Sequence, residues 1–224
     1  MSPRETHAER RARAARIVRR LAKAYPDARI ALHFRNPFEL LVATILSAQC
    51  TDKKVNEVTP ALFAASGTPA ALAAADARTV EAMIRPTGFY RQKARAIQSA
   101  ARDIAERFAG AVPESLEELT SLRGVARKTA NVVLGNAFGV PGLAVDTHMK
   151  RVNGRLGLTL HEDPEKIERD LMELVPRKEW TTYSHRVIHH GRVCCTARGP
   201  LCESCPLREE CPWPRTARGR RGAA

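Results

Sequence analysis

The sequence predicts an all-α fold, for three reasons. Alanine and arginine, which are common in helices, are abundant along the chain. Aromatic residues make up only 5% of it, and alternating runs of β-branched residues, which would indicate strands, are absent. With 224 residues, 44% of them hydrophobic, the chain can form one large or two modest domains around an apolar core.

Capping residues, prolines and glycines predict where the helices begin and end. Ala8 to Tyr25 carries apolar side chains at helical spacing and is stopped by Pro26. Pro37 opens a strongly apolar helix that we expect to reach about Gln49. The same signals predict the later helices: Thr51 through Leu62, a short one from Thr68, one from Asp76 to Gly88, 90–108, 115–122, one ending at Phe138, 146–158, 163–175 and 180–192.

The charge of the chain points to a polyanionic partner. Its net charge is +13, of which residues 1–23 carry +6 and residues 215–224 carry +4. Such a surplus is typical of proteins that bind nucleic acid or an anionic surface, and we expect both basic ends to strengthen DNA binding. The longest strongly apolar stretch, Leu40 to Leu46, is too short to span a bilayer, and the N-terminus lacks the apolar segment of a signal peptide. We therefore expect a cytoplasmic protein without a membrane partner, in which cysteines stay reduced.

Four cysteines near the C-terminus predict a metal site. Cys195, Cys202, Cys205 and Cys211 lie within 17 residues, in the spacing Cys-x6-Cys-x2-Cys-x5-Cys. Thiolates bind zinc or an iron–sulfur cluster, and the long first gap favours the cluster without excluding zinc. Reduced cysteines without a metal are the alternative. Cys194 is adjacent to the first ligand and is a competing assignment for it.

A glycine-containing turn between two predicted helices is a candidate phosphate site. The segment Leu122-Arg-Gly-Val-Ala-Arg-Lys-Thr-Ala leads directly into a helix, whose first N–H groups can hold a DNA phosphate. An ordinary helix–turn–helix corner is the alternative. Lys128 lies in the first turn of that helix, beside Arg127, where the positive end of the helix dipole favours a neutral amine able to form a Schiff base. A solvated, phosphate-binding lysine is the alternative for Lys128.

Asp146 stands just before Thr147-His-Met, where a predicted helix begins. An N-cap is the usual role of aspartate at such a position. A carboxylate there can also act as an acid or base, or stabilise a cationic transition state. The residues around Asp146 do not separate these roles, and one side chain can fill both.

In combination, these segments resemble the endonuclease III family of DNA glycosylases with AP lyase activity, in the helix-hairpin-helix superfamily. The resemblance extends from about Arg19 to Trp213. Its motifs are Pro37-Phe-Glu-Leu-Leu, Leu46-Ser-Ala-Gln-Cys-Thr-Asp, Gly88-Phe-Tyr-x-x-Lys-Ala, Gly124-Val-Ala-Arg-Lys-Thr-Ala-Asn-Val-Val, Val145-Asp-Thr-His, His190-Gly-Arg and the cysteine segment.

The resemblance implies a two-domain helix-hairpin-helix DNA glycosylase fold with a C-terminal iron–sulfur cluster loop. Residues 30–140 would form a six-helix module that carries the hairpin, residues 1–29 and 141–213 the cluster domain, and residues 214–224 a basic flexible tail. The implied cofactor is a [4Fe-4S] cluster on Cys195, Cys202, Cys205 and Cys211. The implied partner is double-stranded DNA that contains damaged pyrimidines or abasic sites, bound by a monomer associated with the nucleoid.

The resemblance also implies the chemistry. Lys128 would attack C1′ of an extruded nucleotide, expel an oxidised pyrimidine and form a Schiff base that nicks the strand by β-elimination, with Asp146 assisting. Gln49 and Phe89 would fill the gap that the extruded nucleotide leaves. The further DNA contacts implied are Arg123, Gly124, Val125, Ala126, Arg127, Thr129, His148, Arg198 and Arg208.

Three residues depart from the family pattern. Arg123 and Ala126 stand where the hairpin usually has proline and a second glycine, and Phe89 stands where leucine is common. If position 126 requires a positive φ, an alanine there is strained, so we expect an altered hairpin geometry and a changed DNA affinity. The larger ring of Phe89 predicts stacking on bases and a shifted substrate range.

Two other functions compete with this prediction. A mismatch-directed thymine glycosylase shares the motifs, and a non-catalytic iron–sulfur DNA-binding protein would need neither Lys128 nor Asp146. Adenine-removing relatives lack a lysine at the position of Lys128, and its presence here argues against that activity.

Overall fold

The computed structural model describes residues 5–215 of the chain, and all regular structure in that part is helical. This confirms the predicted all-α class. The helices are α1 (His7–Ala24), α2 (Pro37–Leu46), α3 (Asp52–Ser66), α4 (Pro69–Ala74), α5 (Ala77–Ile84), α6 (Tyr90–Arg107), α7 (Leu116–Ser121), α8 (Arg127–Ala137), α9 (Thr147–Arg155), α10 (Pro164–Leu174) and α11 (Trp180–Val193). Short 3-10 turns occupy Arg85–Thr87, Arg177–Glu179, Arg208–Glu210 and Trp213–Arg215.

Side-chain caps explain most of the helix starts. In each capped helix a side-chain oxygen accepts a hydrogen bond from the backbone N–H three residues later, which satisfies a donor that the helix itself leaves unpaired. The capping residues are Thr6, Asn36, Thr51, Thr68, Asp76, Ser115, Asp146 and Asp163.

Two helices end earlier than the sequence predicts. Helix α2 stops at Leu46 rather than Gln49, because Gln49 adopts a left-handed backbone with φ 52°. Helix α9 stops at Arg155 rather than Leu158. Gly157 has φ 65°, and the Leu158 N–H donates to the Asn153 carbonyl, which is the hydrogen-bond pattern of a glycine C-terminal motif.

The chain divides into two compact units. One is the continuous segment Ile30–Val140, which contains α2 to α8. Its core is built around α2, in which nine of the ten residues are buried, as expected of a strongly apolar helix. The hairpin consists of α7, α8 and the turn between them. Helix α8 packs on α2, and α7 packs on α8. The hairpin therefore rests on the most deeply buried helix of this unit.

The other unit combines Met1–Arg29 with Pro141–Ala224, of which the structure describes residues 5–29 and 141–215. Helix α1 packs on α10 and α11, and α9 packs on α11. Polar contacts also join α1 to distant parts of the chain: the Arg13 guanidinium donates to the carbonyls of Leu156, at 2.6 Å, and Glu210, at 3.1 Å. Arg16 pairs with the buried Glu210 carboxylate.

Three arginines of the basic N-terminal segment make ion pairs within this unit. Arg13, Arg16 and Arg20 pair with Glu5, Glu210 and Glu209. Of the predicted basic tail, Pro214 and Arg215 lie in the 3-10 turn Trp213–Arg215. The rest of the tail, like residues 1–4, lies outside the described residues. Over the described part of the chain, no helix combines the length and the hydropathy needed to cross a membrane.

Candidate active site and metal centre

The hairpin turn joins α7 to α8. The Val125 N–H donates to the Leu122 carbonyl at 3.1 Å, and Gly124, third in this four-residue turn, has φ 85°. A positive φ at that position is the requirement of a type II turn, which glycine meets without strain. Leu122 and Val125 are buried and fix the turn to the core, while Arg123 and Gly124 are exposed. The predicted glycine turn is therefore present.

Ala126 does not have the strained backbone that we expected. Its φ is −82° and its ψ 162°, an extended conformation that alanine adopts freely. The expectation that Ala126 distorts the hairpin is wrong, because Gly124 alone carries the positive φ of this turn. A hydrogen bond compensates for the rigidity that a proline at position 123 would give the turn. The Arg123 N–H, which a proline would lack, donates to the Asp103 carboxylate at 3.1 Å.

Lys128 lies in the first turn of α8 and is exposed to solvent, while its neighbours Arg127 and Thr129 are half-buried. Ala126 precedes the helix as its N-cap and has no side-chain oxygen that could accept hydrogen bonds from the first turn. Arg95, Arg102 and Arg123 line an open pocket beside Gly124. Three guanidinium side chains of the continuous unit thus lie around the turn that precedes α8, where they favour an anionic ligand.

Asp146 belongs to the other unit and caps α9. Its Oδ1 atom accepts a hydrogen bond from the Met149 N–H at 2.8 Å, and its side chain is half-buried. The predicted capping role is confirmed. His148, two residues later, is half-buried, and its Nδ1 atom lies 3.0 Å from the Arg151 guanidinium. Burial lowers the pKa of His148, which keeps its imidazole neutral near pH 7.

Gln49 and Phe89 share an unusual backbone. Both are exposed, Phe89 by 61%, and both are left-handed, with φ 52° and 47°. This conformation costs a residue other than glycine roughly 1 kcal/mol or more. Gln49 follows the end of α2, and Phe89 directly precedes α6. Both side chains are therefore exposed on a strained backbone, which the surrounding structure must stabilise.

The four predicted ligand cysteines line one pocket. It has a volume of about 380 Å³ including its open mouth, and its wall is mainly apolar. Helix α11 ends at Val193, just before Cys195, and the other three cysteines follow on the loop that encloses the pocket. The structure therefore brings all four cysteines to the wall of one pocket.

The sulfur atoms have hydrogen-bond donors around them. The Arg155 guanidinium lies 3.3 Å from Cys195 Sγ, and the Leu207 N–H lies 3.4 Å from Cys205 Sγ. Burial raises the pKa of Cys202, Cys205 and Cys211, the last to about 11. A metal that bound these sulfur atoms would take the place of their protons. Donors to sulfur in a mainly apolar pocket fit a thiolate-bound metal centre.

A second group overlaps this pocket. The side chains of His190, Cys194 and Cys205 place one ligand atom each within 4.8 Å of one another. His190 is buried, its Nδ1 atom lies 2.9 Å from the Tyr25 hydroxyl, and burial lowers its pKa to about 4. Because Cys194 belongs to this group, it is an alternative to Cys195 as a metal ligand. Sequence reasoning used His190 only as part of a motif.

Arg198 and Arg208 are exposed on the cysteine loop. Arg208 donates to the carbonyl and carboxylate of Glu203, an exposed pairing that a phosphate can displace at little cost.

The sequence did not single out two residues that the structure places in notable contacts: Arg155, which lies near Cys195 Sγ, and Lys93, a buried lysine on α6. Lys93 lies on the same face of α6 as the buried Ile97 and Ile104. This helical spacing is the feature of the sequence that could have predicted its burial.

The chain matches known proteins over most of its length. The family model of the HhH-GPD superfamily base excision DNA repair proteins matches residues 42–177. Endonuclease III of Synechocystis sp. is 53% identical over 92% of this chain and 94% of its own. Endonuclease III of Escherichia coli K12 is 41% identical over 88% of this chain and 93% of its own.

Solved structures show the same similarity. A trapped covalent intermediate of an endonuclease III with DNA superposes with a TM-score of 0.87 at 44% identity, and covers 94% of this chain and 97% of that one. A thermostable thymine-DNA glycosylase superposes with a TM-score of 0.83 at 20% identity, which shows a shared fold only.

Proposed function

Since the chain belongs to the endonuclease III family of the HhH-GPD superfamily, it is a DNA glycosylase and AP lyase of base excision repair, and we propose that Lys128 is its nucleophile. The observation that carries the proposal is the exposed lysine in the first turn of α8, directly after the hairpin. Phosphate can approach the first N–H groups of α8, because the alanine N-cap offers them no competing oxygen. The backbone of the bound strand would then pass next to the amine.

The reaction has two stages. The Lys128 amine attacks C1′ of the target nucleotide, and the base leaves with the electrons of the glycosidic bond. Loss of a proton from nitrogen and opening of the sugar ring give the Schiff base. Removal of a C2′ proton then breaks the C3′–O bond, and the 3′ phosphate leaves, which nicks the strand on the 3′ side of the lesion.

Asp146 assists this reaction in our proposal. One carboxylate oxygen is held by the Met149 N–H, which fixes the orientation of the group. The carboxylate can then stabilise the positive charge that develops on the sugar, and accept a proton from the lysine. The half-buried position of Asp146 strengthens this electrostatic effect relative to a fully solvated carboxylate.

We further propose that Cys195, Cys202, Cys205 and Cys211 hold a [4Fe-4S] cluster. Bound there, the cluster would cross-link the loop rather than take part in bond making. The loop would present Arg198 and Arg208 to the phosphates of DNA. The proposed location of the protein is the cytoplasm, at the nucleoid. The mainly apolar pocket and the donors near Cys195 and Cys205 support the assignment.

The proposed substrate is duplex DNA with an oxidised pyrimidine, or with an abasic site. The test is borohydride trapping on duplexes that contain thymine glycol or an abasic site. The wild-type protein should give a covalent adduct with both, and Lys128→Ala with neither. Asp146→Asn should slow adduct formation while leaving DNA affinity within about threefold. An adduct formed by Lys128→Ala would exclude Lys128 as the nucleophile, and trapping on the abasic duplex alone would exclude the proposed lesion.

A further inference from the structure

Lys93 is a buried cation that the lyase chemistry does not use. Its side chain is 5% exposed, and its ammonium donates to the carbonyls of Leu46 and Thr87, each at 2.8 Å. Burial lowers the pKa of Lys93. A charged group is costly to bury, so these two carbonyls must compensate for the water that the ammonium has lost.

The two carbonyls lie at the ends of separate elements. Leu46 is the last residue of α2, and Thr87 is the last residue of the 3-10 turn Arg85–Thr87. Carbonyls at the end of a helix have no partner within it. The Lys93 ammonium supplies donors to both, and so ties the loop after α2 to the loop before α6.

These loops carry the two left-handed residues described above. Gln49 follows Leu46 by three residues, and Phe89 follows Thr87 by two. In the described part of the chain, the only other residue with a positive φ that is not glycine is Ala109. The strained backbone is therefore concentrated in the two loops that share one buried ammonium.

An apolar side chain would serve the core better than Lys93. Residues 93, 97, 100 and 104 form one stripe of α6, and the other three positions of that stripe are Ile97, Ala100 and Ile104. A methionine at position 93 would extend the stripe without the cost of burying a charge. A lysine at position 93 is therefore favourable because of its hydrogen bonds to the two loops, and not because of its packing in the core.

We propose that Lys93 is a positioning residue, which holds Gln49 and Phe89 in register so that both enter the gap left by the extruded nucleotide. This inference rests on the proposed function and on the gap-filling role that the family resemblance implies for those two side chains. Without the ammonium, both carbonyls lose their donor and the loops relax towards ordinary backbone conformations. The extruded state of the DNA is then less stable, while the chemistry at Lys128 is unchanged.

The test uses the full-length protein and a duplex with an abasic site opposite 2-aminopurine. Filling of the gap changes the stacking of this fluorescent base. Lys93→Met should reduce the fluorescence change on binding, and slow single-turnover strand cleavage by about tenfold or more. Ile104→Ala, a core variant of the same helix, is the control for lost stability. At equal fractions folded, measured by circular dichroism, it should keep the wild-type fluorescence change.

A double-mutant cycle separates positioning from a general structural role. In the background of Gln49→Ala with Phe89→Ala, Lys93→Met should slow cleavage by less than twofold further. If it still slows cleavage by its full factor in that background, Lys93 does not act through these side chains and the inference is overturned. If Gln49→Ala with Phe89→Ala cleaves at the wild-type rate, the gap-filling role itself fails, and the positioning role fails with it.

Discussion

A Cβ atom placed on Gly124 would stand 3.0 Å from the Cβ of Ala96, so the hairpin turn lies closer to α6 than an ordinary side-chain contact allows. The φ of Gly124 is also positive, at 85°. Two independent constraints therefore select glycine at this one position: the turn requires a positive φ, and α6 lies close behind it.

Gly124→Ala should destabilise the protein and weaken DNA binding. The left-handed backbone alone costs alanine about 1–2 kcal/mol, and the close approach to Ala96 adds to it. Urea unfolding measures the loss. The matched control is Gly139→Ala, where φ is 67° and nothing lies within 4 Å of the added Cβ. Equal losses in the two variants would show that the contact with Ala96 is unimportant.

Ala126→Gly should change little. Glycine is a better N-cap than alanine, but it also increases the conformational entropy of the unfolded chain, and each effect is worth about 0.5–1 kcal/mol. Because the effects oppose each other and the backbone is unstrained, we expect DNA affinity within about twofold of wild type, by fluorescence anisotropy. A tenfold change in affinity would mean that position 126 requires the freedom of glycine after all.

Arg123→Ala should weaken DNA binding most at low salt. If the guanidinium neutralises one phosphate, the slope of log Kd against log salt falls by about 1. The same titration on Arg78→Ala, which removes an exposed arginine of α5, should leave the slope unchanged. A slope unaltered by Arg123→Ala would place this side chain away from the bound backbone.

Cys195→Ala and Cys194→Ala should differ in iron content. The proposed ligand set predicts that Cys195→Ala loses iron and the absorbance of the cluster, whereas Cys194→Ala retains both. Elemental analysis and visible spectroscopy of the purified variants decide between the two neighbours. The opposite result would assign Cys194 as the ligand, together with Cys205 and His190.

Arg13→Met should destabilise the unit that contains α1. Arg13 donates to the Leu156 and Glu210 carbonyls, and loss of bonds to buried carbonyls costs about 1–3 kcal/mol. Arg11→Met, an exposed residue of the same helix, is the control and should cost less than about 0.5 kcal/mol. Similar losses for both, by urea unfolding, would show that the contacts of Arg13 contribute nothing.

The sequence alone determined the helical class, most helix starts and the position of the four cysteines around one pocket. These features depend on local chemistry: Thr51, Asp76 or Asp146 caps the helix that follows it whatever lies further along the chain. Short spacing likewise brings Cys202, Cys205 and Cys211 together within one loop. Signals of this kind act over a few residues, so they can be read without knowledge of the packing.

Only the tertiary structure decided the rest. Whether Ala126 was strained depended on which residue of the turn takes the positive φ, and the folded backbone places it at Gly124 and leaves Ala126 extended. The bond from Lys93 to the Leu46 carbonyl, and the bonds from Arg13 to the Leu156 and Glu210 carbonyls, join residues far apart in sequence. A charged side chain looks the same in a sequence whether it faces water or a carbonyl, because its partners are set by the folded core and not by its neighbours along the chain.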